Sequence, residues 1–221
     1  MTASLSEGDV HVWRVRLDRV PLVSREVLSD EELECAHRFR SPGHAARYMG
    51  GRSALRRILG AYVGVEPRSI AFAVTANGRP VLPGEPGRIT FSVTNTEDLA
   101  LVALSRTRTI GIDVEKVRAL DDLALVAKYF YTGEECRCLM ELPVASRTHA
   151  FYRLWTQKEA LFKARGVSTH KPLRRAAARA TAAFRGLEMS AEAFRAGHWL
   201  LVSFQAAPDY AATLAMPATL R

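Results

Sequence analysis

Apolar and polar side chains alternate over residues 10–17, the period of a β-strand. A polar stretch follows over 30–40 and reads as a helix capped by Ser29 or Asp30. Pro42 and Gly43 interrupt the chain. A long helix is predicted over 44–62, where Leu55, Ile58, Leu59 and Tyr62 recur at helical spacing. Gly50 and Gly51 inside it weaken the helix and suit a close backbone approach. Residues 70–75 and Val81-Leu82 form an extended pair around a turn at Asn77-Gly78, and 83–87 reads as a loop. Residues 90–94 and 99–105 form a hairpin around Glu97-Asp98.

The second half follows a loosely similar plan without a visible sequence repeat. A β-branched run over 108–117 predicts a strand, and 120–131 a helix whose start carries Asp121 and Asp122, well placed for the helix dipole. Thr132 and Glu135 have the spacing of a capping box. Residues 149–165 lack Gly and Pro and predict a helix with Phe151, Leu154, Trp155 and Phe162 on its apolar side. An Ala/Arg segment over 174–185 reads as a solvated basic helix. Residues 199–205 and 210–214 read as a late hairpin. Strands and helices in this order predict an α+β protein.

Composition narrows the class. The chain has 221 residues, 48% of them apolar and 24% charged, as in soluble globular proteins. No apolar run approaches the ~20 residues that span a bilayer. No positively charged start precedes an apolar core, so neither a secretory signal nor a membrane anchor is expected, and the chain reads as cytoplasmic. The three cysteines, Cys35, Cys136 and Cys138, lack zinc-site spacing and read as free thiols. The formal charge of +8 fits a polyanionic cofactor or an acidic protein partner as well as nucleic acid. Its arginines are dispersed, with no nucleic-acid signature, so no nucleic-acid partner is expected.

Two motifs carry chemistry. In the strand Gly111-Ile112-Asp113-Val114-Glu115, alternation puts Asp113 and Glu115 on one face, opposite Ile112 and Val114. Two carboxylates on one face repel unless a cation joins them, and hard oxygen ligands favour Mg²⁺. Alone, such a pair is more often an ordinary wet sheet face. In the helix Trp155-Thr156-Gln157-Lys158-Glu159-Ala160-Leu161-Phe162-Lys163, residues Trp155, Glu159 and Lys163 follow one stripe, with Lys158 about 100° away. Bulky apolar neighbours imply partial burial of Glu159, which then needs a partner or a metal.

Together these motifs resemble the signature of 4′-phosphopantetheinyl transferases, specifically the longer surfactin-synthetase-activating (Sfp) type. Weaker resemblances cover most of the chain: Arg38-Phe39, Arg47 and Leu55-Arg56; Asn77-Gly78-Arg79-Pro80; the strand from Phe91 to Thr96; Gly166 through Leu173; and Asp209-Tyr210-Ala211. The resemblance implies a pseudo-dimer of two similar lobes, each a small, mainly antiparallel sheet packed with helices. An N-terminal lobe over 1–107 would lie on the coenzyme A side, and a C-terminal lobe over 108–221 would carry the metal and catalytic motifs. It implies a monomer that moves the phosphopantetheine arm of coenzyme A, the co-substrate, to a serine of an acidic acyl or peptidyl carrier protein. Asp113, Glu115 and Glu159 would ligate Mg²⁺, and Lys158 and Lys163 would hold phosphate as mobile point charges. Glu159 would also take the serine proton. Arg47, Arg79, Thr94 and Asn95 would contact coenzyme A. Asn95 replaces a family histidine, and Glu32 and Cys35 stand where lysines are expected, which implies weak discrimination between coenzyme A and its 3′-dephospho form. The alternative is a non-catalytic protein that binds coenzyme A or a carrier on the same scaffold.

Overall fold

The computed structural model describes residues 3–19, 22–76, 78–84, 89–167 and 193–218. The Ala/Arg segment, His170 and Lys171 fall outside these, as do Asn77 and the stretch from Ser168 to Leu173. The chain divides into two compact units, Met1–Thr107 and Arg108–Arg221. Antiparallel sheets packed with helices make it α+β.

In the first unit, β1 (Val10–Arg16), β5 (Leu99–Ser105) and β4 (Thr90–Thr96) form an antiparallel sheet in the order β1-β5-β4. β4 and β5 are joined through Glu97-Asp98, and Glu97 takes the left-handed conformation this tight turn needs (φ 49°). Helices α1 (Asp30–His37) and α2 (Pro42–Val63) pack together. Ser29 closes a capping box with Glu32, and Pro42 opens α2 in the first turn, where its missing N–H costs nothing. The stripe of α2 buries Leu55, Leu59 and Tyr62 with Phe91, Val102 and Leu104 of the sheet. A short pair, β2 (Ala73–Val74) and β3 (Pro80–Val81), completes the described strands of this unit.

The second unit holds a four-stranded antiparallel sheet of β6 (Gly111–Lys116), β7 (Ala193–Ala196), β8 (Trp199–Ala207) and β9 (Tyr210–Pro217), ordered β6-β9-β8-β7. β7 has no counterpart among the strands that the hydrophobic pattern predicts. Helices α3 (Leu123–Phe130), α4 (Gly133–Glu141) and α5 (Val144–Ala164) complete it. The Thr132–Glu135 capping box starts α4 as its spacing predicts. α5 begins five residues before the predicted 149, directly after Pro143. It lies against β6 and β9 and packs Phe151, Leu154 and Leu161 with Tyr131, Leu139 and Leu201.

Candidate active site

Asp113 and Glu115 share one face of β6, and α5 crosses that face. The approach depends on Gly111. A Cβ there would collide with the backbone at Ala160 and Ala164 of α5, so only glycine lets helix and strand meet at this depth. The sheet is not wet on the carboxylate side: Asp113 is only 4% exposed, while Ile112 and Val114 behind it are buried as well.

A buried carboxylate needs a compensating charge. Lys163 supplies it, donating to Asp113 Oδ1 at 2.7 Å and to the Ile112 carbonyl at 3.1 Å. Glu159, one helical turn earlier on α5, is half-buried. Burial pushes its carboxyl up to about 7; the negative charge of Asp113 adds to this, Lys163 opposes it, and Glu115 raises it further. Asp113 and Glu115 therefore both act on Glu159, and Lys163 opposes them. Among the described residues, no three His, Cys, Asp or Glu side chains stand as a ready-made metal cage. The donor chemistry nevertheless fits a hard divalent cation: oxygen ligands only, excess negative charge, and a lysine standing where added positive charge is favourable.

Lys158 departs from the mobile phosphate-holding cation expected of it. It is 1% exposed, donates to Glu135 Oε2 at 2.7 Å and lies 4.7 Å from the centre of the Tyr131 ring. Burial lowers its pKa, against the pull of Glu135. Its 100° offset from Glu159 turns it into the layer of α3 and α4, where two charges hold each other out of water. The sequence pattern shows Glu135 as a cap, and it does cap α4, donating no proton but accepting the Thr132 N–H at 2.8 Å with the oxygen that also holds Lys158. This second task leaves no local signature, because Lys158 is 23 positions away.

The residues expected to touch coenzyme A in the first unit are partly gathered. A cavity of about 540 Å³ is lined by Arg47, Asn95, His44, Arg52, Tyr48 and Phe39, among others. Arg47 donates to Asp98 at 2.8 Å, within reach of the cavity. Arg52 is shared with Glu32, the acidic residue found where a lysine is expected. Glu32 is buried and also accepts from Arg56 at 2.7 Å, so its place in the sequence serves the helix pair. Arg79 does not line the cavity; it donates to the Phe91 carbonyl at 2.5 Å. Thr94 is buried and, by strand alternation, points to the face opposite Asn95.

An antiparallel α+β unit with an acidic strand beneath a Lys-Glu helix defines the class, and comparison with known proteins agrees. Residues 109–215 match the family model of the 4′-phosphopantetheinyl transferase superfamily. The chain is 40% identical over 169 residues to 4′-phosphopantetheinyl transferase HetI of Nostoc sp. (strain PCC 7120), covering 74% of this chain and 71% of that protein. It is 32% identical over 158 residues to a protein of Synechocystis sp. (strain PCC 6803) named as a 4′-phosphopantetheinyl transferase, covering 70% of this chain and 64% of the relative. To 4′-phosphopantetheinyl transferase Sfp of Bacillus subtilis it is 26% identical, covering 73% of each. The chain belongs to the 4′-phosphopantetheinyl transferase superfamily.

Proposed function

We propose that this protein transfers the 4′-phosphopantetheine arm of coenzyme A to a serine hydroxyl of an acidic acyl or peptidyl carrier protein, acting as a monomer. The serine oxygen bonds to the phosphorus that carries the arm, the bridging P–O bond of the diphosphate breaks, and adenosine 3′,5′-bisphosphate leaves. The observation that carries this reading is the Lys163–Asp113 ion pair across the α5–β6 contact, with Asp113 and Glu115 both near enough to raise the carboxyl of Glu159. Asp113, Glu115 and Glu159 are the residues that would hold Mg²⁺, which when bound neutralises phosphate charge and stabilises the leaving phosphate.

The chain's own residues do the rest. Lys163, with side-chain exposure of 26%, is the cation able to turn from Asp113 towards a phosphate oxygen. Glu159 gives up its proton near neutral pH, at about 7, and in its ionised form is the group matched to accept the serine proton. Lys158 and Glu135 work from inside, fixing α4 against α5 beneath the reacting side chains. In the first unit, Arg47, His44 and Asn95 offer donors to an anionic nucleotide end. Within this reading, the two compact units are the two lobes of the pseudo-dimer.

Chromatography of the nucleotide product tests the reaction. Incubation with coenzyme A, Mg²⁺ and an apo carrier protein is expected to release adenosine 3′,5′-bisphosphate in step with carrier, and a carrier whose acceptor serine is alanine is expected to give none. Binding of coenzyme A or carrier without release would mark a non-catalytic scaffold instead.

A further inference from the structure

Asp113 belongs to a polar row that crosses three strands. Asp113 of β6 pairs in register with Thr213 of β9, and Thr213 with Ser203 of β8. All three face α5, where Asp113 meets Lys163, Thr213 meets Thr156 and Ser203 meets Gln157. Thr213 Oγ1 is 3.0 Å from Ser203 Oγ and 3.0 Å from Thr156 Oγ1 on α5. Gln157 Nε2 donates to Ser203 Oγ at 3.0 Å, and Thr156 Oγ1 donates to the Arg153 carbonyl at 3.0 Å. Thr156 and Thr213 are both 0% exposed.

Each hydroxyl has one proton, which fixes the direction of the chain. Thr156 spends its proton on Arg153, so it accepts from Thr213. Thr213 then accepts from Ser203, and Ser203 from Gln157. The result is a one-way relay of hydrogen bonds from α5 into the sheet and back to α5. Apolar residues of the same shape would fill this space at little cost in stability, because replacing both partners of a buried hydrogen bond is nearly neutral. What an apolar contact cannot do is fix how far the helix slides along the strands. Thr156 is three residues before Glu159, and Thr213 is the cross-strand partner of Asp113. Gly111 sets how closely α5 approaches the sheet. The hydroxyl relay sets where along the sheet it rests.

We infer that Thr156 and Thr213 are positioning residues: their hydrogen bond holds Glu159 in register with Asp113 and thereby sets the affinity of the carboxylates for a divalent cation. The inference rests on the reading given under Proposed function. Loss of such supporting contacts weakens metal binding by about 10–100-fold in known sites.

The test is Mn²⁺ binding to the full chain, followed by the free-ion paramagnetic signal, alongside kcat and KM for coenzyme A and thermal melts. Thr156→Val breaks the link from the helix, Thr213→Val breaks it from the sheet, and Thr156→Ser keeps it. The expected result is that both valine variants stay folded but melt below the parent, because each leaves a buried hydroxyl unpaired, bind Mn²⁺ about 10–100-fold more weakly and lose kcat with little change in KM. Thr156→Ser is expected to recover both. Parent-like Mn²⁺ affinity in the valine variants overturns the inference, as does a Mn²⁺ loss that Thr156→Ser does not repair. A parent protein that neither binds Mn²⁺ nor transfers the arm overturns the underlying reading, and the inference falls with it.

Discussion

Glu159 is a carboxyl whose proton is held by its surroundings. Its folded value of about 7 lies above the ordinary 4.5 because burial and two neighbouring carboxylates disfavour the charge. Between these values the folded chain binds more protons than the unfolded one, so stability falls as pH rises through the window. In metal-free buffer, melting temperature is therefore expected to fall from pH 5 to pH 7.5, with a shallower slope for Glu159→Gln. A divalent cation competes with that proton, so added Mg²⁺ should raise the melting temperature more at pH 7.5 than at pH 5. Equal shifts at both values would contradict the placement of Glu159 among the ligands. Lys158 shows a different environment at the preceding position: it is enclosed with Glu135, and the pair excludes water. Removing one partner of a buried pair costs about 3–5 kcal/mol, while replacing both with apolar groups is often near neutral. Denaturant midpoints are expected to drop sharply for Lys158→Met and to recover in Lys158→Met combined with Glu135→Leu, short of the parent by what the lost cap of α4 contributes.

At the scale of elements, the site is a helix laid across a strand, and glycine decides whether that is possible. Gly111→Ala drives a methyl into the backbone of α5 at Ala160 and Ala164, which neither side relieves by a rotamer change. A loss of at least 1–3 kcal/mol in stability and on the order of 10²-fold in transfer rate is expected, read by denaturation and by product release. Parent-like values for both would show that α5 does not need this approach. The sequence reveals both long helices, a cap at Ser29 or Asp30, the capping box at Thr132 and the β4–β5 hairpin, because each is written locally; the Ser29–Glu32 box it does not reveal. It also puts Asp113, Glu115, Glu159 and Lys163 on the strand face and helix stripe where they stand. It does not reveal which glycine matters for close packing. Of the Gly50-Gly51 pair, Gly50 is buried and a Cβ at Gly51 would meet only Leu17 at 3.8 Å, whereas Gly60, which the sequence does not single out, has the Val65 carbonyl at 2.7 Å. Such distances are set by pairings remote in sequence. The burial of Lys158 is hidden for the same reason, since its partner lies on another helix.

Of the two compact units, one carries Asp113, Glu115 and Glu159 and the other the cavity lined by Arg47 and Asn95. Among the described residues no helix is long and apolar enough to cross a membrane. Because the chain has a formal charge of +8, encounter with the proposed acidic carrier is expected to slow as salt is added. The most direct measurement is the intact mass of an apo carrier protein incubated with this chain and coenzyme A, first in chelator and then with Mg²⁺ restored. Gain of the phosphopantetheine mass is predicted only with Mg²⁺, and reduced on the order of 10²-fold or more by Asp113→Ala, Glu115→Ala or Glu159→Gln. Full modification in chelator, or near-normal modification by two of these variants, would contradict the account.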